Sequence, residues 1–183
     1  QDLLLQAWGR VSPGFPRVRL ILAGGSGKRD VPYVTGLESH ASEASFRGTV
    51  ELAGHVEDVP GYLASLDLFV FPSRDEAYGV ALVEAMAAGL PVLGASSGGV
   101  LEIIREGRDG LLFRPQDPQA LAGALERLLK SAALRERLGR AARKRALEKM
   151  TLDRTVMLYE RLFRSLVGGH APSCPLLDAA HGD

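Results

Sequence analysis

Two carboxylates, Glu76 and Glu84, stand eight residues apart with Gly79 between them. Paired carboxylates perform acid–base hydrolysis when they sit roughly 5–10 Å from each other. On one regular helix, an eight-residue step separates them by ~12 Å. That is too wide for paired hydrolysis and suits the reading of two ends of an extended ligand. Between them, Gly79 leads into a helical stretch over residues 80–88, whose first free N–H groups attract an anion. A carboxylate pressed against a phosphate repels it, so each glutamate is expected to face neutral hydroxyl groups. Phosphate in the middle and a hydroxyl-rich ring at each end describes a nucleotide-sugar.

The elements that must hold these residues lie on either side. Leu68, Phe69, Val70 and Phe71 form a short, bulky apolar run that predicts a buried strand of a parallel sheet. Pro72 stops it, because proline cannot donate to a sheet ladder. Arg74, Asp75 and Glu76 make a polar elbow. Gly89 ends the helix, with Pro91 two residues later. Residues 91–95 read as a second buried strand, and Gly98 and Gly99 open a helix predicted over 99–106. Strand, loop and helix repeat here as in a doubly wound sheet, where ligands bind at the carboxyl ends of the strands.

These residues carry a family resemblance. They are Pro72 and Ser73, the E-x7-E pair Glu76 and Glu84, Tyr78 and Gly79, and Ala85, Met86 and Ala87 after the second glutamate. Gly89, Leu90, Pro91 and Val92 follow, then Gly98, Gly99 and Val100 with Glu102, and Gly110, Leu111 and Leu112. The chain resembles the C-terminal half of a retaining GT-B glycosyltransferase of family four, the group 1 glycosyltransferases, over about residues 3–166. One departure is Ala77, where the family usually has glycine.

The resemblance implies an α/β fold: a doubly wound, Rossmann-like, mostly parallel sheet with a helical C-terminal stretch. It implies a nucleotide-diphospho-sugar donor and transfer to an acceptor sugar or lipid held by an N-terminal domain absent from this sequence. Glu76 takes the catalytic position and the sugar hydroxyls, and Glu84 the ribose hydroxyls. Tyr78, Gly79, Val80 and Ala81 surround the donor, with the amides of the last three on the distal phosphate. Val56 offers a main-chain contact near the nucleobase, whose identity nothing else specifies. No protein nucleophile, metal or cofactor beyond the donor is implied. Two rival readings are another GT-B enzyme, such as a sugar-nucleotide epimerase or a phosphorylase, and a non-catalytic nucleotide-sugar binding or scaffold module. The sequence encoded upstream of Gln1 discriminates between a transferase and a module.

Composition fits an ordinary enzyme domain. The 183 residues suffice for one domain with a sizeable core. Net charge is zero, so nothing global points to nucleic acid. The single Cys174 excludes an internal disulfide framework, and the lack of asparagine excludes a glycosylation sequon. No apolar run nears the roughly 18 residues of a membrane span and no signal peptide is visible, so a cytoplasmic location is expected.

Along the chain, Leu3, Leu4, Ala7, Trp8 and Val11 recur at helical spacing from the first residues onward. By resemblance, a strand and a loop with a diphosphate-binding basic residue precede such a helix. The domain over residues 1–167 is therefore expected to be incomplete at its N-terminal side, with a sheet edge unpaired. Residues 18–23 predict a strand, followed by the glycine-rich loop 24–28. A P-loop would need glycine where Leu22 stands and Ser or Thr where Arg29 stands, so Lys28 is read either as a phosphate contact or as a solvated lysine. A weak helix is expected over 32–46 and a strand over 49–53, with His55 in a surface loop. Asp58 caps a short helix, with Pro60 in its first turn. Glu102 either steadies the loop at Gly98 and Gly99 or is an exposed helical glutamate. Residues 111–113 predict an edge strand, and three amphipathic helices follow, the first capped by Asp117. Residues 127–149 carry nine basic and two acidic side chains. Such a helix can lie on an anionic membrane surface, but its Ala/Leu stripe without aromatic anchors favours a solvated face. Residues 168–183, with Cys174, have the composition of a disordered tail.

Overall fold

The computed structural model describes residues 1–24, 31–43, 46, 48–74 and 76–167. Lys28, Asp75, Cys174 and the tail 168–183 lie outside the described residues. Helix α1 (Asp2–Val11) leads through a short 3-10 turn (Ser12–Gly14) into β1 (Leu20–Ala23). Next come α2 (Val31–Ala41), β2 (Val50–Gly54), α3 (Val59–Ala64) and β3 (Phe69–Phe71). After them come α4 (Val80–Ala88), β4 (Val92–Ala95), α5 (Val100–Ile103) and β5 (Leu111–Phe113). The chain then runs through α6 (Pro118–Lys130), α7 (Ala132–Lys149) and α8 (Leu152–Val167).

All pairings between these strands are parallel. β4 lies between β3 and β5, with Phe69 opposite Val92 and Leu93 opposite Leu111. Successive side chains of a strand point to opposite faces, and β4 uses both. Val92 enters a core with Leu82, Met86, Val100, Ile103, Ile104 and Ala142. Leu93 enters another with Leu5, Trp8, Leu111, Leu121, Leu125 and Leu128. Helices α4, α5 and α7 cover the first face, and α1 and α6 the second. The sheet is therefore wound on both sides, as the repeated strand–helix pattern predicts. Every residue of β4 is buried, which is why its sequence is apolar without alternation.

Three expectations need correction. First, β3 is half-buried rather than buried. The strands divide into β1–β2 and β3–β4–β5, and the facing edges of β1 and β3 border a cleft of about 1170 Å³. Leu20, Leu22, Leu68, Val70 and Leu125 line it. Second, α5 ends at Ile103, short of the predicted residue 106, because Ile104 is already extended. The Arg105 N–H that would continue the helix donates instead to the Asp109 carboxylate at 2.7 Å. Third, α2 stops at Ala41, and Ser42 turns its hydroxyl back to the Glu38 carbonyl at 2.7 Å. Such local bonding competes with helix propagation.

The predicted caps hold. Asp58 accepts from the Gly61 N–H at 3.0 Å and Asp117 from the Ala120 N–H at 2.9 Å. The basic side of α7 is largely engaged within the chain. Arg135 donates to the Leu128 and Leu129 carbonyls, Arg137 to the Gly107 carbonyl, and Arg140 pairs with Glu136. Among the described residues no helix is long and apolar enough to cross a membrane.

Helix α7 approaches the end of α4 closely because position 139 is glycine. A Cβ there would lie 2.3 Å from the Gly89 carbonyl oxygen. That atom is backbone at a left-handed C-cap (Gly89 φ 89°) and cannot swing aside. Overpacking costs about 1–3 kcal/mol and helix propensity returns at most about 1 kcal/mol. Gly139→Ala is therefore expected to lower the urea midpoint, with an unchanged slope, by the equivalent of about 1–2 kcal/mol. An unchanged or higher midpoint would show that α7 does not bear on Gly89.

Candidate functional site

The chain leaves β3 through Pro72 and Ser73, passes the elbow at Arg74, and enters α4 at Gly79. Gly79 is buried and left-handed (φ 71°, ψ 48°), a conformation costly for any residue with a Cβ. Glu76 does not stand on the helix. Its Oε1 accepts from the Gly79 N–H at 3.1 Å and the Tyr78 N–H at 3.4 Å. The Ser73 hydroxyl donates to its Oε2 at 3.4 Å. The ~12 Å rise of a single helix therefore does not describe the Glu76–Glu84 pair, because residues 76–79 form a loop that folds the carboxylate back onto the helix entrance.

The first N–H groups of a helix have no carbonyl four residues earlier to bond and are able to attract an anion. Glu76 takes the Gly79 N–H. The Val80 and Ala81 N–H groups have no acceptor among the described residues, and both residues are exposed. Tyr78 stands beside them, 57% exposed. Glu84 lies one turn further on, exposed, with no ion pair or hydrogen bond among the described residues. Val56 follows β2 at the carboxyl end of its strand and is half-buried. No hydrogen bond joins it to residues 76–84. The structure thus gathers Glu76, Tyr78, Gly79, Val80 and Ala81, sets Glu84 one turn away, and leaves Val56 on the other sheet.

The loop after β4 braces this cluster. The Gly99 N–H donates to the Glu76 carbonyl at 2.9 Å, and the Ser97 hydroxyl to the Arg74 carbonyl at 2.6 Å. A Cβ on Gly98 would lie 2.6 Å from the Glu76 oxygen, and one on Gly99 2.4 Å from the Ala77 oxygen. The glycine pair is there for close approach, a role beyond opening a helix. Ser97 was not legible as a site residue, since nothing in its neighbours marks its hydroxyl as a partner of residue 74. Glu102 is exposed, and its carboxylate makes no hydrogen bond among the described residues. Gly98 and Gly99 are held by Glu76 instead. Ala77 needs no left-handed backbone, so alanine in place of the family's glycine is accommodated. Among the described residues no cluster of His, Cys, Asp or Glu could hold a metal ion.

The cluster lies at the carboxyl ends of two adjacent parallel strands of a doubly wound α/β domain, where such folds bind ligands. The family described as glycosyl transferases group 1 matches residues 1–145, and the chain belongs to it. It is 34% identical over 168 residues to an exopolysaccharide phosphotransferase of Streptomyces coelicolor, covering 91% of this chain and 17% of that protein. It is 32% identical over 157 residues to a D-inositol 3-phosphate glycosyltransferase of Nocardioides, covering 79% of this chain and 34% of that protein. The Anabaena HepE protein in complex with UDP-glucose superposes with a TM-score of 0.81 at 25% identity, covering 92% of this chain and 45% of that one. The chain therefore spans about a third or less of these curated relatives and under half of that solved structure.

Gly99 has an ordinary backbone (φ −62°), so alanine there acts through its contacts with the Ala77 and Glu76 carbonyls. Gly99→Ala is expected to destabilise by about 1–3 kcal/mol through overpacking. Denaturant unfolding checks this, and an unchanged midpoint would mean that the two loops are not in tight contact.

Proposed function

We propose that this chain is the donor-binding half of a glycosyltransferase that takes a nucleotide-diphospho-sugar and passes the sugar to an acceptor held outside these residues. The observation that carries the reading is the helix entrance. The N–H groups of two exposed residues, Val80 and Ala81, have no acceptor among the described residues and lie between Glu76 and Glu84 in a chain that belongs to the group 1 glycosyl transferases. The UDP and UDP-glucose complexes of the structural relative support the nucleotide-sugar assignment.

In this reading the distal phosphate lies on the Val80 and Ala81 amides, with the Gly79 amide shared. Preorganised dipoles of this kind stabilise charge as it builds on the leaving phosphate, without reorganisation at the moment of reaction. Glu84 receives the ribose hydroxyls. Glu76 faces the sugar hydroxyls, and the incoming phosphate, competing for the Gly79 N–H, pushes its carboxylate toward them. Tyr78 flanks the donor and Val56 contributes its main chain near the base. Retention of anomeric configuration belongs to the same proposal, as does a cytoplasmic reaction. Because the chain spans under half of its solved relative, residues 1–183 alone are proposed to bind donor weakly and to transfer no sugar.

The experiment is a calorimetric screen of nucleotide-sugars against the full-length parent, followed by acceptor assays in parallel with residues 1–183. Glu84 has no partner among the described residues, so Glu84→Gln is expected to leave the melting midpoint unchanged. Donor affinity should fall by about tenfold or more, the equivalent of a charge-assisted hydrogen bond of about 1.5–3 kcal/mol. Unaltered affinity would sink the ribose assignment. Turnover by residues 1–183 alone would overturn the division of labour between halves.

A further inference from the structure

Asp109 is the one fully buried charged residue among the described residues. The sequence places it in a simple turn before β5, yet its carboxylate organises the end of α5. Oδ1 accepts from the Arg105 N–H at 2.7 Å and Oδ2 from Arg105 Nε at 2.6 Å. A second guanidinium, Arg145 of α7, stands 3.8 Å from Oδ2. Arg145 does more than balance charge. Its Nε donates to the Ile103 carbonyl and its Nη2 to the Glu102 carbonyl, both at 2.9 Å. A helix of four residues has no internal partner for its last carbonyls, and α5 obtains them from one arginine 42 residues away in sequence. A planar fork suits two adjacent carbonyls, where lysine offers a point charge. Arg137 holds the next turn through the Gly107 carbonyl at 3.0 Å.

Helix α5 touches the candidate site at both ends. At its start, Gly99 binds the Glu76 carbonyl. At its end, the Ile103 side chain lies directly behind Gly79, where an added Cβ would meet its Cδ1 at 3.2 Å. Gly79 is the left-handed residue that presents the α4 entrance. We propose that Arg145 and Asp109 are positioning residues: by fixing the end of α5 they hold Ile103 behind Gly79 and Gly99 against Glu76, and so set the geometry of the α4 amides. The consequence for donor binding rests on the function proposed above; the mechanical claim does not.

Amide hydrogen exchange on the protein tests the mechanical claim. Gly79 and Gly99 N–H groups are both hydrogen-bonded, so each reports local opening. In Arg145→Ala they are expected to exchange about tenfold faster, while Leu93 and Leu111 in the core strands keep their protection. Arg145→Lys, which keeps the charge beside Asp109, should lie between, and it guards against a poorly folded alanine variant. Loosening confined to residues 102–110, with Gly79 and Gly99 unchanged, would overturn the proposal. In the full-length parent, Arg145→Ala should raise donor KM about fivefold or more with acceptor KM unchanged. A purely structural residue would lower the amount of active protein and leave donor KM alone, and that outcome also counts against positioning. A wild-type parent that binds no nucleotide-sugar would count against the donor reading, and the exchange result would still decide the role of Arg145.

Discussion

The site depends on a close approach of backbone to backbone. The loop after β3 and the loop after β4 meet where the Glu76 and Ala77 carbonyls press against Gly98 and Gly99, with no room for a Cβ on either glycine. One hydrogen bond, from the Gly99 N–H to the Glu76 carbonyl, fixes the register of the contact. Parallel neighbours in the sheet bring the two loops to the same end, and the glycines let them touch. Glu76 is thereby bound on both sides, by its carbonyl to α5 and by its carboxylate to the start of α4. The loop that carries Glu76 is therefore already ordered, and an ordered loop loses little entropy when a ligand arrives.

Packing supplies the frame. β4 is buried on both faces, so the position of the Gly98–Gly99 loop is set by two cores at once. Helix α7 then joins pieces that are far apart in sequence. Gly139 seats it on the C-terminal end of α4, and Arg145 seats it on the C-terminal end of α5. Both helices that border the site are thus tied to one long helix at their C-terminal ends. Beyond β3 the frame opens into a cavity that Glu76 and Ala81 also line. Between β1 and β3 the sheet has no ladder, and the apolar side chains there line a cleft.

Much of this was legible in the sequence because it is local. Pro72, Gly79, Gly89 and Pro91 punctuate the strands and the helix by fixed conformational rules. Asp58 and Asp117 cap where a short acceptor precedes a helix. Val92 and Leu93 read as a strand buried on both faces, and they are. The rest depends on partners distant in the chain. Asp109 looks like a turn residue until Arg105 and Arg145 fold around it. The early end of α5 follows from that same carboxylate. The Glu76–Glu84 spacing misleads because a left-handed glycine breaks the helix that a count of residues assumes. The half-burial of β3 reflects which strands pair across the sheet, and apolar content alone does not carry that information.

The most direct measurement is a titration of the isotope-labelled chain with nucleoside diphosphates, UDP, GDP and ADP in turn, read at each amide. The account predicts that at least one of them moves the Gly79, Val80 and Ala81 resonances together, with Gly99 following through its bond to Glu76. Shifts confined to other surfaces, or none at these four amides with any of the three at millimolar concentration, would contradict the assignment of the α4 entrance as the phosphate site.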